Sequence, residues 1–145
     1  MEPIAVKILR EGASLPTYGS VEAAGADLYA CLEADVIIES GKTAFIPTGI
    51  AMEVPRGCAG LIYARSGLAC KRGLAPANKV GVIDSDYRGE IMVALHNHGT
   101  ESQTIHHGER IAQMVITPVL TPDYVVAEEL TNTARNIGGF GSTGK

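Results

Sequence analysis

The residues in this sequence best suited to chemistry stand in short blocks far apart along the chain. The most informative block runs from Asn78 to Met92 and holds Gly81, Val82, Ile83, Asp84, Asp86 and Tyr87. Ile83 and Tyr87 bracket the two acids, an arrangement that could set a carboxylate beside an apolar wall, where it orients and deprotonates a water. The competing reading is a solvated turn between two strands with its acids in water. Asp27 is the one acid in the apolar run Ala24-Gly25-Ala26-Asp27-Leu28. It is either a turn aspartate or a carboxylate for a hydrated magnesium, which keeps most of its waters and is bound by one or two carboxylates plus phosphates. Arg65-Ser66-Gly67 offers a forked set of donors, a hydroxyl and an approachable backbone N–H, all suited to phosphate. The plain alternative is an ordinary turn.

The C-terminal stretch from Thr131 is of another kind. It has almost nothing to pack, and its last eight residues include four glycines, so it is expected to be a flexible tail. A lone Arg135, a lone Phe140 and Ser142-Thr143 among those glycines look like ligand contacts on a mobile strap. Gly139 and Gly144-Lys145 match the start of a P-loop, but that motif needs a strand before it and a helix after it, and neither is legible here. His96 and His98 fall on one face of an expected strand, without a cysteine or carboxylate at the spacing of a zinc site. Cys31, Cys58 and Cys70 form neither a CxxC pair nor a disulfide framework, and each reads as a small buried apolar residue in a reducing, cytoplasmic setting.

The elements that must position these groups read as strands. The chain has 145 residues, enough for a single domain with one core. It is 46% hydrophobic and 19% charged, which excludes a disordered chain. Its net charge of −4 argues against a nucleic-acid coat, and no apolar run approaches a membrane span. Short apolar segments recur between turn signals: Ile4–Leu9, Val36–Ile38, Thr43–Ile46, Thr48–Val54, Ala59–Ala64, Val80–Ile83, Ile91–Leu95, Arg110–Val119 and Tyr124–Leu130. Such spacing implies a barrel or sandwich. Ser40-Gly41 reads as a hairpin turn. Val21–Leu32 is ambiguous, with apolar residues at near-helical spacing around Gly25. Ser66–Lys71 is the one place for a short helix, stopping at Gly73.

Five blocks in order resemble the trimeric dUTP diphosphatase family of bacterial type. They are Ala23–Leu28, Ala64–Ala69, Gly81–Glu90, Gly108–Gln113, and Arg135 with Gly138–Gly144. Three positions depart from the family pattern: Ala64 replaces a usual Pro, Glu109 a usual Asp, and Asn136 a frequent Gly. The resemblance implies an all-β, jelly-roll-like barrel (a β-clip) as core over residues 1–130, and a tail over residues 131–145 that closes on the active site. It implies a homotrimer with sites shared between chains. The implied activity is Mg²⁺-assisted hydrolysis of dUTP to dUMP and diphosphate, which keeps uracil out of DNA and supplies dUMP. By the same resemblance Asp84 activates the water and Tyr87 packs under the deoxyribose. Gly81, Val82, Ile83 and Met92 line a hairpin that reads uracil, with Asn78 near base or sugar. Arg65, Ser66, Gly67 and Gln113 hold phosphates, and Asp27 reaches magnesium through water. Phe140 stacks on the base, and Arg135, Gly141, Ser142 and Thr143 cover the phosphates. Two alternatives stand beside it: a dCTP deaminase-type enzyme of the same fold, and a non-catalytic trimer that binds nucleotide.

Overall fold

Extended segments with a two-residue apolar period dictate the architecture. A computed structural model describes residues 3–141, and among these residues twelve strands and one helix form. In chain order they are β1 (Val6–Ile8), β2 (Thr17–Tyr18), β3 (Ala26–Tyr29), β4 (Val36–Ile38), β5 (Thr43–Pro47), β6 (Ile50–Met52), β7 (Cys58–Tyr63), α1 (Ser66–Arg72), β8 (Leu74–Pro76), β9 (Gly81–Ile83), β10 (Met92–Asn97), β11 (Gln103–Ile105) and β12 (Arg110–Pro118). The all-β class with a single short helix therefore holds, and α1 stops at Gly73, whose φ of 65° is the left-handed conformation that ends helices.

The strands form four antiparallel sheets around one core: β1-β6, β5-β10-β8, β11-β4 and β2-β3-β12-β7-β9. Leu28, Ile38, Ile46, Ile50, Leu74, Ile91, Leu95, Ile105 and Ile111 are fully buried. They come from all round the chain and belong to a single cluster. Each such side chain contributes roughly 1.5–3 kcal/mol by leaving water. Two polar side chains are buried with them, and both are satisfied. Thr48 donates its hydroxyl to the Ile91 carbonyl at 2.6 Å, and Asn97 donates to the carbonyls of Ile38 and Glu101 at 2.8 Å.

Four local expectations give way, and one ambiguous segment resolves. Val21–Leu32 contains β3 and no helix. Leu28 is buried while Val21 is fully exposed, so the helical stripe has no common face. Ser40-Gly41 is a turn but not a hairpin, because β4 pairs with β11 and β5 with β10. The Asp84–Gly89 turn is likewise no hairpin tip: β9 pairs with β7, and β10 with β5 and β8. Tyr124–Leu130 forms no strand, and Tyr124, Val125, Val126 and Leu130 are exposed, because the chain offers them no partner edge. Of the cysteines only Cys31 is buried; Cys58 is half-buried and Cys70 exposed.

Candidate active site

Ladder register brings three of the sequence blocks to one cleft. β12 lies between β3 and β7, so Gln113 faces Asp27 on one side and Tyr63 on the other. In β3, Ala26 and Leu28 point into the core and Asp27 to the opposite face. α1 begins just after β7 and carries Ser66 and Gly67 to the same place. The result is a cleft of about 290 Å³ lined by Asp27, Arg65, Ser66, Gly67, Arg110 and Gln113, with Gly19, Ala23 and Gly25.

The cleft is built on charge. Arg65 donates from Nε to Oδ1 of Asp27 at 2.7 Å, and Arg110 lies 3.5 Å from the other carboxylate oxygen. Asp27 therefore faces two guanidinium groups with its side chain only 13% exposed. Each guanidinium has further N–H donors, so an entering polyanion finds donors already oriented. Gln113 is fixed by donating to the Ala64 carbonyl at 2.9 Å. α1 is held from behind: Leu68 is buried, and Arg72 donates to Gln103 (2.9 Å), Glu109 (2.8 Å) and the Thr104 carbonyl (2.5 Å). The helix that carries much of the second block is thus tied to the fourth by Arg72–Glu109, and the Glu that replaces the usual Asp makes this bond.

The third block lies apart from that cleft. Asp84 directly follows β9 and is exposed. The Tyr87 N–H donates to the Asp84 carbonyl at 3.2 Å, which closes the turn. The Tyr87 hydroxyl donates to the Glu90 carbonyl at 2.9 Å. Asn78 folds over Gly81, where an added Cβ would meet its amide nitrogen at 3.2 Å. Val82 and Met92 are exposed while Ile83 packs on the core. β9 is the outer strand of its sheet, so its free edge can read the hydrogen-bonding edge of a planar ligand as a paired strand would. The missing β9–β10 ladder is therefore useful: a paired hairpin would have used up those backbone groups.

None of Asn78, Gly81, Val82, Ile83, Asp84, Tyr87 or Met92 lines the cleft of Asp27 and Arg65. Neither do the described tail residues. Arg135 turns back on its own tail and donates to the Gly138 carbonyl at 2.8 Å. Phe140 is fully exposed, and Gly141 is exposed at φ 85°. Ser142 and Thr143 lie outside the described residues. Asn136, where Gly is frequent, adopts the left-handed φ of 46° that glycine favours. Arg110 was not singled out from the sequence, though it stands in the fourth block. Glu90 closes the third block, but its pairing with Arg10 has no signal in the sequence, because it spans 80 residues.

No group of three or more metal-ligating side chains occurs among the described residues. His96 and His98 do share a face, with ring centroids 4.5 Å apart, and stand as a pair only. The donor set, one carboxylate between two guanidinium groups, suits a polyphosphate that brings its own hydrated magnesium rather than a protein-built cage.

An all-β chain with an arginine-lined polyanion cleft and an edge strand free to read a base defines a class of nucleotide-binding β proteins. A family model for dUTPase matches residues 11–144, and the chain belongs to the dUTPase family. A deoxyuridine 5'-triphosphate nucleotidohydrolase of Desulfitobacterium hafniense is 53% identical over 131 residues, covering 90% of this chain and 87% of that one. A mutant dUTPase of Staphylococcus bacteriophage 80alpha with dUpNHpp superposes at a TM-score of 0.91 and 28% identity, with both chains covered completely. A mutant dUTPase from phage phi11 of S. aureus, with a coordinated structural Mg(II) ion, superposes at 0.81 and 25% identity, covering 90% of this chain and all of that one.

Proposed function

We propose that this protein is a homotrimeric dUTP diphosphatase of bacterial type, which hydrolyses dUTP to dUMP and diphosphate at sites assembled between chains. The observation that carries this reading is the separation of a phosphate-ready cleft from the Asp84–Tyr87 segment in a chain matched to the dUTPase family over residues 11–144. Two half-sites that do not meet within one chain become whole when one chain's cleft meets another chain's third block. Support for such contacts comes from the exposed apolar residues Leu120, Tyr124, Val125, Val126 and Leu130, which nothing among the described residues covers.

The residue roles follow from chemistry. Asp84 takes a proton from the water that attacks the α-phosphorus. Tyr87 lies under the deoxyribose and leaves no room for a 2′-hydroxyl. Backbone groups from Gly81 to Ile83, and those near Met92, read uracil, with Asn78 beside base or sugar. Arg65, Ser66, Gly67 and Gln113 hold the phosphate chain, whose charge the arginines offset. Mg²⁺ bound to the substrate supplies further charge neutralisation, and Asp27 is the side chain placed to hold its waters. The tail closes with Phe140 on the base and Arg135, Gly141, Ser142 and Thr143 over the phosphates, excluding bulk water. The three free thiols fit the reducing cytoplasm.

The test is diphosphate release from each common dNTP and from UTP, with and without Mg²⁺, with ammonia assayed in parallel. Diphosphate from dUTP alone is expected. Ammonia from dCTP would assign the deaminase activity instead, and no turnover of any nucleotide would leave a binding module.

A further inference from the structure

Glu90 is the most heavily held carboxylate outside the cleft. It accepts both Nε and Nη2 of Arg10 at 2.9 Å each, and the Gly49 N–H at 2.9 Å. These partners come from an N-terminal segment and from the β5–β6 turn, so three distant stretches meet at one side chain. The main chain of the same residue holds Tyr87, since the Glu90 carbonyl accepts the Tyr87 hydroxyl at 2.9 Å. Between them the Tyr87 ring lies across Gly89, where any Cβ would strike it. The ring is otherwise 43% exposed, with little packing to orient it.

We propose that Arg10 and Glu90 are positioning residues for sugar discrimination: their bidentate ion pair fixes the Glu90 peptide, and that peptide fixes the Tyr87 ring. The inference rests on the role given above to Tyr87. A steric filter against one hydroxyl works only when its wall does not move, because a ring that swings away admits the larger sugar. The paired fork–fork geometry suits this task, as it sets angle as well as distance. Arg10 is about half exposed, and exposed ion pairs add little to folding. Positioning and stability can therefore be separated by experiment.

The measurement is kcat/KM for dUTP and for UTP, on the full chain, for the wild type, Arg10→Ala, Arg10→Lys, Tyr87→Phe, Tyr87→Ala and the Arg10→Ala/Tyr87→Phe double variant, with thermal melts as the folding control. Arg10→Ala should lower the dUTP-to-UTP ratio about fivefold, the equivalent of one hydrogen bond, with the fold kept and only a small fall in Tm. Arg10→Lys should recover part of the ratio. Tyr87→Phe, which removes the bond to the Glu90 carbonyl, should lower it by a similar factor, and the double variant should be no worse than Tyr87→Phe, because both act through one link. An unchanged ratio in Arg10→Ala while Tyr87→Ala relaxes it would overturn the proposal. So would an equal loss for both nucleotides, or additive losses in the double variant. If Tyr87→Ala leaves the ratio unchanged, or the wild type does not turn over dUTP, the reading of Tyr87 or of the activity fails first and takes this proposal with it.

Discussion

A Cβ placed on Gly25 would lie 2.6 Å from Oε1 of Gln113 and 3.2 Å from its Cβ and Cδ. The glycine of the first block is thus the space in which the glutamine of the fourth block sits. Gly25→Ala should push Gln113 out of line and break its bond to the Ala64 carbonyl, worth about 1 kcal/mol. The far end of the glutamine can move, so folding should survive with a small loss in Tm. KM for dUTP should rise several-fold, because phosphate holding is disturbed. A wild-type KM would mean that Gln113 does not hold substrate.

Asp84→Asn should nearly abolish turnover while nucleotide binding is kept, since the amide fills the same space and cannot take a proton. Asp84 is exposed in the single chain, so Ile83 and Tyr87 do not by themselves wall it from water. The check is kcat beside a Kd for dUTP. Near-normal turnover in this variant with a dead Asp86→Asn would move the base to Asp86.

The strands legible in the sequence are those whose apolar period matched a paired neighbour: β1, β4, β5, β6, β7, β9, β10 and β12 appear within a few residues of the expected segments. β3 was hidden because its four residues lie in a longer stretch whose apolar spacing mimics a helix. Tyr124–Leu130 has the composition of a strand and no partner in its own chain, a fact no local pattern records. At the site, the reactive residue types were readable. Their pairings were not, because Arg65–Asp27 spans 38 residues and depends on which strands adjoin. The same limit hid the split between the cleft and the third block.

Glu90 makes a pH prediction. The Arg10 hydrogen bond holds its carboxyl below the ordinary value, against the upward push of burial, and the Gly49 N–H assists. The unfolded chain binds this proton more readily than the folded one. The stabilisation is therefore fully present above the unfolded value of about 4.3 and is lost as pH falls through the lower folded value. Removing Arg10 lifts the folded value and shrinks the contribution. Plots of Tm against pH for the wild type and Arg10→Ala should differ most above pH ~5 and converge in acid. Parallel curves down to strong acid would show that this pair is not what titrates.

Removing residues Arg135–Lys145 should leave a folded trimer with little activity. Residues 131–141 form no strand or helix, and all but Gly138 and Gly139 are exposed. The expected melt is unchanged and the expected kcat/KM greatly reduced. Loss of the trimer, or full activity, would each assign the tail differently, as structural in the first case and idle in the second.

The sharpest prediction concerns whose tail serves whose Asp84. Within one chain, neither the described tail residues nor Asp84 line the arginine cleft, which is the arrangement the shared-site proposal requires. Asp84→Asn and the tail truncation, each inactive alone, should rescue one another when unfolded together and refolded. In a random equal mixture, half the chains bring a good base and half a good tail. If base and tail come from different chains that assort independently, about a quarter of the sites are complete in the closed symmetric assembly. If each tail covers the Asp84 of its own chain, every site lacks one part and activity stays at the sum of the parents. Mixing without refolding is the control, since stable trimers do not exchange. Mixed trimers confirmed by mass and still inactive would overturn the exchange of tails between chains while leaving the dUTPase activity itself intact.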